Sequence, residues 1–166
     1  MADVFTLPTA PIRVNTRNEW LHGDDLINAK VAKLFAQSVR IQPDGSYAVC
    51  LGQESHTIRA DDTPFWVTSM VMEPMDGRRL QQVRLTISDG HTEWLNPQTL
   101  MQSVDNTLYC RIVRQGFEVP CRFAPQQYHA LALHAQSDGE GYSLSLGNKK
   151  YPIGPYNRRP IPQSSN

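Results

Sequence analysis

The stretch "LYCRIVRQGFEVPCRF", residues 108–123, constrains the fold more than any other part of the chain. Two runs of alternating apolar and polar residues meet at Gln115-Gly116, the shortest common loop of a β-hairpin. Loop length fixes the register. With Arg114 opposite Phe117, Ile112 faces Val119, Cys110 faces Cys121 and Leu108 faces Phe123, so one side of the hairpin is apolar and must be core. The other side carries Tyr109, Arg111, Glu118, Pro120 and Arg122, with Pro120 at a pairing position that does not need its missing N–H.

Elsewhere the pattern alternates between strands and short helices. "PIRVNTRNEWL" predicts a hairpin from Ile12 and Val14 to Trp20. Ile27, Val31, Leu34 and Phe35 recur at helical spacing opposite Lys30, Lys33 and Gln37, which predicts a helix over 28–38 with Asn28 at its cap. Residues 39–51 form a hairpin around Pro43-Asp44-Gly45, where proline presets φ and glycine accepts left-handed backbone. Strands follow at 55–59, 65–73 and 79–88, punctuated by Asp76-Gly77 and Asp89-Gly90. Pro125 starts a second helix with Tyr128, Leu131, Ala132 and Ala135 on one stripe. "YSLSLGNKKYPIG" reads as a last hairpin turning at Asn148, and "GPYNRRPIPQSSN" as an extended, mobile tail.

The order hairpin, helix, hairpin occurs twice, which points to an internal duplication. Trp20, Val31 and Leu34 align with Phe117, Tyr128 and Leu131. After a small change of offset in the loop behind the helix, Tyr47, Val49, Leu51, Gly52 and Ile58 align with Tyr142, Leu144, Leu146, Gly147 and Ile153. The expected architecture is α+β: an N-terminal lobe at 1–58, a β-rich C-terminal lobe at 59–154 and a tail at 155–166. A junction of two lobes is where a cleft forms, and pockets favour such junctions.

Composition narrows the functional classes. The chain has 166 residues, 40% apolar and 19% charged, with 16 Lys plus Arg against 16 Asp plus Glu. That balance provides no global field for a nucleic-acid polymer or a membrane surface. No apolar run approaches the length of a membrane span, and "MADVFTLPTAPIRV" lacks the layout of an export signal. Three cysteines, Cys50, Cys110 and Cys121, without CxxC spacing fit reduced thiols in a bacterial cytoplasm.

Catalytic motifs are missing from the sequence: it contains no GxSxG, P-loop or GxGxxG. His129 and His134 lie on different faces of the last helix, whereas paired zinc ligands prefer a four-residue spacing, so neither metal nor cofactor is expected. Asp61 and Asp62 adjoin in "RADDTPFWV", but successive side chains of an extended segment point to opposite faces, which disfavours a carboxylate pair. Asp62 therefore either accepts backbone N–H groups in the turn before Phe65 or lines a cleft as a ligand residue. Tyr109, Arg111 and Arg122 either form a solvated face with an Arg–Glu pair or combine an aromatic surface with two guanidinium groups suited to an anion.

Trp20 and Gly23, Leu34-Phe35, Asp44-Gly45 with Tyr47, Asp62 with Pro64-Phe65, Arg114 with Gly116, and Arg122 ahead of Tyr128 and Leu131 together resemble the bacterial domain-of-unknown-function 1285 family. The resemblance spans nearly the whole chain. It implies a duplicated α+β fold, a C-terminal lobe superficially like pleckstrin-homology folds, a nucleotide-like ligand between lobes and a role in signalling, with no established activity. The segment "CLGQES", Cys50 to Ser55, departs from the family pattern. The expectation is a non-enzymatic ligand-binding or regulatory protein for a small anionic ligand, with Asp62, Phe65, Tyr109, Arg111, Arg114 and Arg122 as candidate ligand residues. The alternatives are a small hydrolase using a cleft carboxylate and a protein–protein interaction module, and a homo-oligomer is open in each case.

Overall fold

The structure, a computed structural model, describes residues 11–75, 79–137, 139 and 141–156. The first part of the chain supplies β1 (Ile12–Val14), β2 (Trp20–His22), β3 (Asp25–Leu26), α1 (Ala29–Gln37), β4 (Val39–Ile41), β5 (Tyr47–Leu51) and β6 (Glu54–Ala60). These strands form one sheet in the order β3-β2-β1-β6-β5-β4. All pairs are antiparallel except β1 with β6, which run parallel with Ile12 beside Ile58.

Helix α1 begins where the sequence predicts, because the Asn28 side chain accepts the Lys30 N–H at 2.9 Å and satisfies one of the otherwise orphaned donors of the first turn. Its buried face keeps Ile27 and Phe35 of the expected stripe but is rotated away from Val31 and Leu34. Val31 and Leu34 are 40% and 49% exposed, while Ala32, Phe35 and Ala36 turn inward. Trp20 explains the rotation. Its ring meets Phe35 edge-on at 6.1 Å, and alanines beside this bulky pair let the helix approach the sheet.

The rest of the chain forms β7 (Trp66–Met75), β8 (Arg79–Ile87), β9 (Thr92–Trp94), a 3-10 turn (Pro97–Thr99), β10 (Met101–Gln102), β11 (Leu108–Arg114), β12 (Phe117–Phe123), α2 (Pro125–Ala132), β13 (Ala135–Ser137), β14 (Tyr142–Leu146), β15 (Lys149–Pro152) and β16 (Gly154–Pro155). Seven strands build a sheet in the order β16-β10-β11-β12-β7-β8-β9, curled into half a barrel. Register shifts in the β7–β8 pair, between Val67 and Ser69 and between Glu73 and Pro74, bend it. The strands β13, β14 and β15 make a third, separate sheet. It is tied to the second where Gly147 N–H donates to Leu80 O at 2.8 Å.

The β11–β12 hairpin has the computed register: Arg114 pairs with Phe117, Ile112 with Val119 and Cys110 with Cys121. Gln115 and Gly116 have φ of 48° and 82°, the left-handed pair that a two-residue hairpin loop requires. Both cysteines are free and buried. The tail departs from the expected mobile segment in its first residues: Gly154-Pro155 pairs parallel to Met101-Gln102, and Tyr156 stacks on Tyr109. The expected Asp76-Gly77 turn lies outside the described residues, as does the tail from 157.

One apolar cluster runs through all three sheets, from Ile12, Val14 and Trp20 through Phe65, Val67 and Phe123 to Leu144 and Leu146. The two larger sheets also meet at a polar contact, the Gln115 side-chain oxygen accepting Ile41 N–H at 2.9 Å across the hairpin tip. That bond closes part of the exposed edge of β4.

Candidate functional site

Residues 61–65 connect the two larger sheets, and their side chains fix how the sheets meet. Thr63, fully buried, is the turn-former here: its hydroxyl donates to Pro120 O at 2.7 Å and accepts Phe65 N–H at 3.2 Å, while Thr63 O accepts the Trp66 indole N–H at 3.0 Å. Asp62 has other partners. Its Oδ2 accepts the Tyr109 hydroxyl at 2.5 Å and Arg122 Nη1 at 2.8 Å, and its side chain is 3% exposed. Asp61 points away towards Arg13, 3.7 Å from its Nε, so the two carboxylates do not converge.

Around Asp62 the packing is aromatic. The Arg122 guanidinium lies 4.8 Å above the Trp66 ring, and Tyr109, placed on the polar face of the hairpin by its alternation, is fully buried beneath Tyr156 with ring centroids 4.0 Å apart. Tyr47 approaches from β5, edge-on to Phe65 at 6.0 Å. Its pKa is pushed up to about 12, chiefly by burial, with the nearby Tyr156 and Asp62 charges adding and the Thr63 hydrogen bond opposing. Its hydroxyl is therefore protonated at neutral pH.

The remaining candidates sit apart from this cluster. Arg114 donates through Nε to Asp89 at 2.6 Å and through Nη2 to Glu93 at 2.7 Å, with its guanidinium 5.9 Å from the Phe65 ring. Burial alone would raise the Asp89 pKa, but the hydrogen bond and charge of Arg114, aided by His91, outweigh it and hold the carboxyl below its usual value. Arg111 faces Glu118 at 3.5 Å. Each of the three arginines thus has a carboxylate partner, and an incoming anion would have to compete with that carboxylate.

A cleft with a different lining opens between α1, the Asn15–Glu19 turn and the β7–β8 hairpin, with a volume of about 500 Å3. Asn18, Trp20, Lys33 and Gln37 contribute from one wall, and Thr68 and Ser88 from the other. Lys33 is the only charged group among the described lining residues. Asn18 is held at φ 60° by the turn, and its Oδ1 is buried without a hydrogen-bond partner. Ser88 is fixed in place, accepting Trp66 N–H at 3.0 Å and donating to Pro64 O at 3.2 Å. No group of three or more His, Cys, Asp or Glu that could hold a metal occurs among the described residues, and no helix there is long and apolar enough to cross a membrane.

Two solved structures follow the same path. A DUF1285 family protein from Silicibacter pomeroyi DSS-3 matches with a TM-score of 0.65 over 88% of this chain and 80% of its own, at 16% identity. A DUF1285 family protein from Shewanella baltica OS155 gives a TM-score of 0.54 over 75% of this chain and 92% of its own, at 17% identity. This chain has a DUF1285-type fold. The likeness concerns the fold alone. No family model matches the sequence, and no curated protein does.

Within the DUF1285-type fold, the sequence-predicted residues divide into two groups. Asp62, Tyr109 and Arg122 come together at the connection between sheets, with Phe65 buried beside them; Arg111 and Arg114 are held elsewhere by their own acids. The cleft residues Asn18, Lys33, Gln37, Thr68 and Ser88 carry no motif. A signal was available only for Asn18, since a polar turn before Trp20 favours asparagine in left-handed backbone.

Proposed function

We propose that the protein is a non-enzymatic ligand-binding domain of regulatory or signalling type, which takes a small anionic, nucleotide-like ligand between its two lobes. The carrying observation is the cleft between α1 and the β7–β8 hairpin, with walls from both lobes and Lys33 as its one charge among the described lining residues. Lys33 supplies the countercharge for an anion. Asn18 lines the same wall, where its left-handed backbone shapes the Asn15–Glu19 turn at the edge of the cleft. Thr68 and Ser88 hydroxyls and the Gln37 amide read the remaining polar groups. In this reading Asp62, Tyr109 and Arg122 hold the lobes in place around the ligand, and Phe65, Arg111 and Arg114 support the sheet behind them.

A hydrolase is less favoured, because neither a carboxylate nor a histidine is among the described residues of the cleft lining. An interaction module draws support from Leu26, Val31 and Leu34, exposed at 65%, 40% and 49%. A thermal-shift series with nucleoside mono-, di- and triphosphates separates these readings. A saturable rise is expected, because ligand at 100 times its Kd adds about 2.7 kcal/mol, and Lys33→Ala should remove it. No shift with any nucleotide, or a shift unchanged in Lys33→Ala, overturns the ligand reading at this cleft.

We infer further that the two lobes are copies of one unit. Supporting this are the shared order of hairpin, helix and three-stranded meander, and the parallel closing pairs β1–β6 and β10–β16, the second copy having β10 inserted beside β11. Superposition of residues 12–60 on 108–155 tests the copying, and comparison of the second unit with pleckstrin-homology folds tests that likeness.

A further inference from the structure

We propose that the C-terminal lobe carries a second ligand pocket, selective for an uncharged molecule with an aromatic or aliphatic body and one hydrogen-bonding head. The pocket lies between α2, β10–β11 and the β14–β15 hairpin, with a volume of about 300 Å3, at the lower end of the roughly 300–1,000 Å3 of small-molecule sites. Leu108, Leu131 and Leu144, all buried, make its floor; Tyr142, 54% exposed, stands at its rim. No charged residue occurs among its described lining.

Its polar end is a connected set of three side chains. Gln102 Nε2 donates to the Tyr128 hydroxyl oxygen at 3.2 Å and to Asn106 Oδ1 at 3.4 Å. That arrangement leaves the Tyr128 hydroxyl hydrogen, Gln102 Oε1 and Asn106 Nδ2 without partners among the described residues. Two donors and one acceptor thus border an apolar chamber. A neutral amide matches them and gains by burying its ring, whereas a full charge would lose its hydration with no countercharge in return. This chemistry differs from that of the cleft beside Lys33, so the two pockets do not compete for one ligand.

Benzamide is the probe, titrated into the full chain while backbone amide NMR signals are followed. Saturable shifts are expected at Leu131, Ala132, Tyr142 and Ile153. Benzoate, the charged isostere, should bind about tenfold or more weakly. Ala132→Phe fills the pocket from a solvent-facing position of α2 and should abolish the shifts; Gln102→Leu should weaken benzamide about tenfold, and Lys33→Ala should leave it unchanged. Equal binding of benzoate, shifts centred on Thr68 and Ser88, or undiminished binding in both pocket variants would each overturn the assignment.

Discussion

The hydroxyl of Tyr109 donates to Oδ2 of Asp62 at 2.5 Å, and the same oxygen receives Arg122 Nη1. A tyrosine and an arginine from adjacent strands, cross-strand partners in the hairpin, thereby grip one carboxylate on the connection to the other sheet. Replacing Asp62 with asparagine leaves Arg122 largely buried without its countercharge, and should cost about 2–4 kcal/mol in urea unfolding. Tyr109→Phe should cost about 1–2 kcal/mol, with the double variant less destabilised than the sum. Additive losses would show that Tyr109 and Asp62 do not act together.

The same packing makes Arg122 a stability residue. Arg122→Ala should lower the melting temperature of the ligand-free protein by several degrees, since about 1 kcal/mol corresponds to roughly 2–4 °C at this chain length. An unchanged melting temperature together with a lost nucleotide shift would instead move the anion site to the late hairpin.

Two groups set pH limits of opposite sign. Asp89 is held below the ordinary carboxylate pKa by the Arg114 guanidinium, so its contribution is complete above the usual carboxylate range and is lost as pH falls through the lowered value. Asp89→Asn should therefore flatten the acid limb of the stability curve. Tyr47 has a pKa raised from 10.0 to about 12, so its contribution is complete below pH 10 and is lost as pH rises towards 12. Tyr47→Phe should flatten the alkaline limb. Unfolding free energies measured across both limbs check the two signs.

Cys110 and Cys121 should stay reduced although they face each other. Counting from the Arg114–Phe117 pair, which closes the loop, they occupy a hydrogen-bonded pair, where Cα atoms are wider apart than in the alternate kind. Burial also pushes the Cys121 thiol well up. Ellman's reagent should modify half-buried Cys50 in the native protein and reach the other two only on unfolding. Rapid reaction of all three would contradict the packing.

The inward face of α1 gives a further test. Leu34→Ser should change stability by less than about 0.5 kcal/mol, while Phe35→Ala should cost about 3 kcal/mol. Comparable losses at the two positions would restore the expected stripe, which puts Leu34 and Phe35 in the core together.

Legibility followed the range of the interaction. The β11–β12 register was readable because two adjacent residues, Gln115 and Gly116, dictate it locally. Periodicity places Val31 and Leu34 inward with Phe35 because Ala32 and Ala36 carry weak signals, and only Trp20, brought in by the β1–β2 pairing, decides which side is core. Asp62 was readable as a special position but its partners were not, since Tyr109 and Arg122 lie 47 and 60 residues away. Tyr156 falls within the expected tail, because a two-residue strand has no periodicity to show.

Parallel pairing of β16 with β10 also bears on how the protein folds. Gly154 must find Met101 across the whole of β11, β12, α2 and the third sheet, a closure of high contact order that pays its loop entropy before any contact rewards it. The local hairpin at Gln115-Gly116 can form in microseconds, but the stacking of Tyr156 on Tyr109 waits for that distant closure. The lid over the Asp62 hydrogen bonds is then the last piece to arrive in folding and the first to leave in partial unfolding. Amide protons of Gly154 and Tyr156 would exchange well ahead of those in β11 and β12.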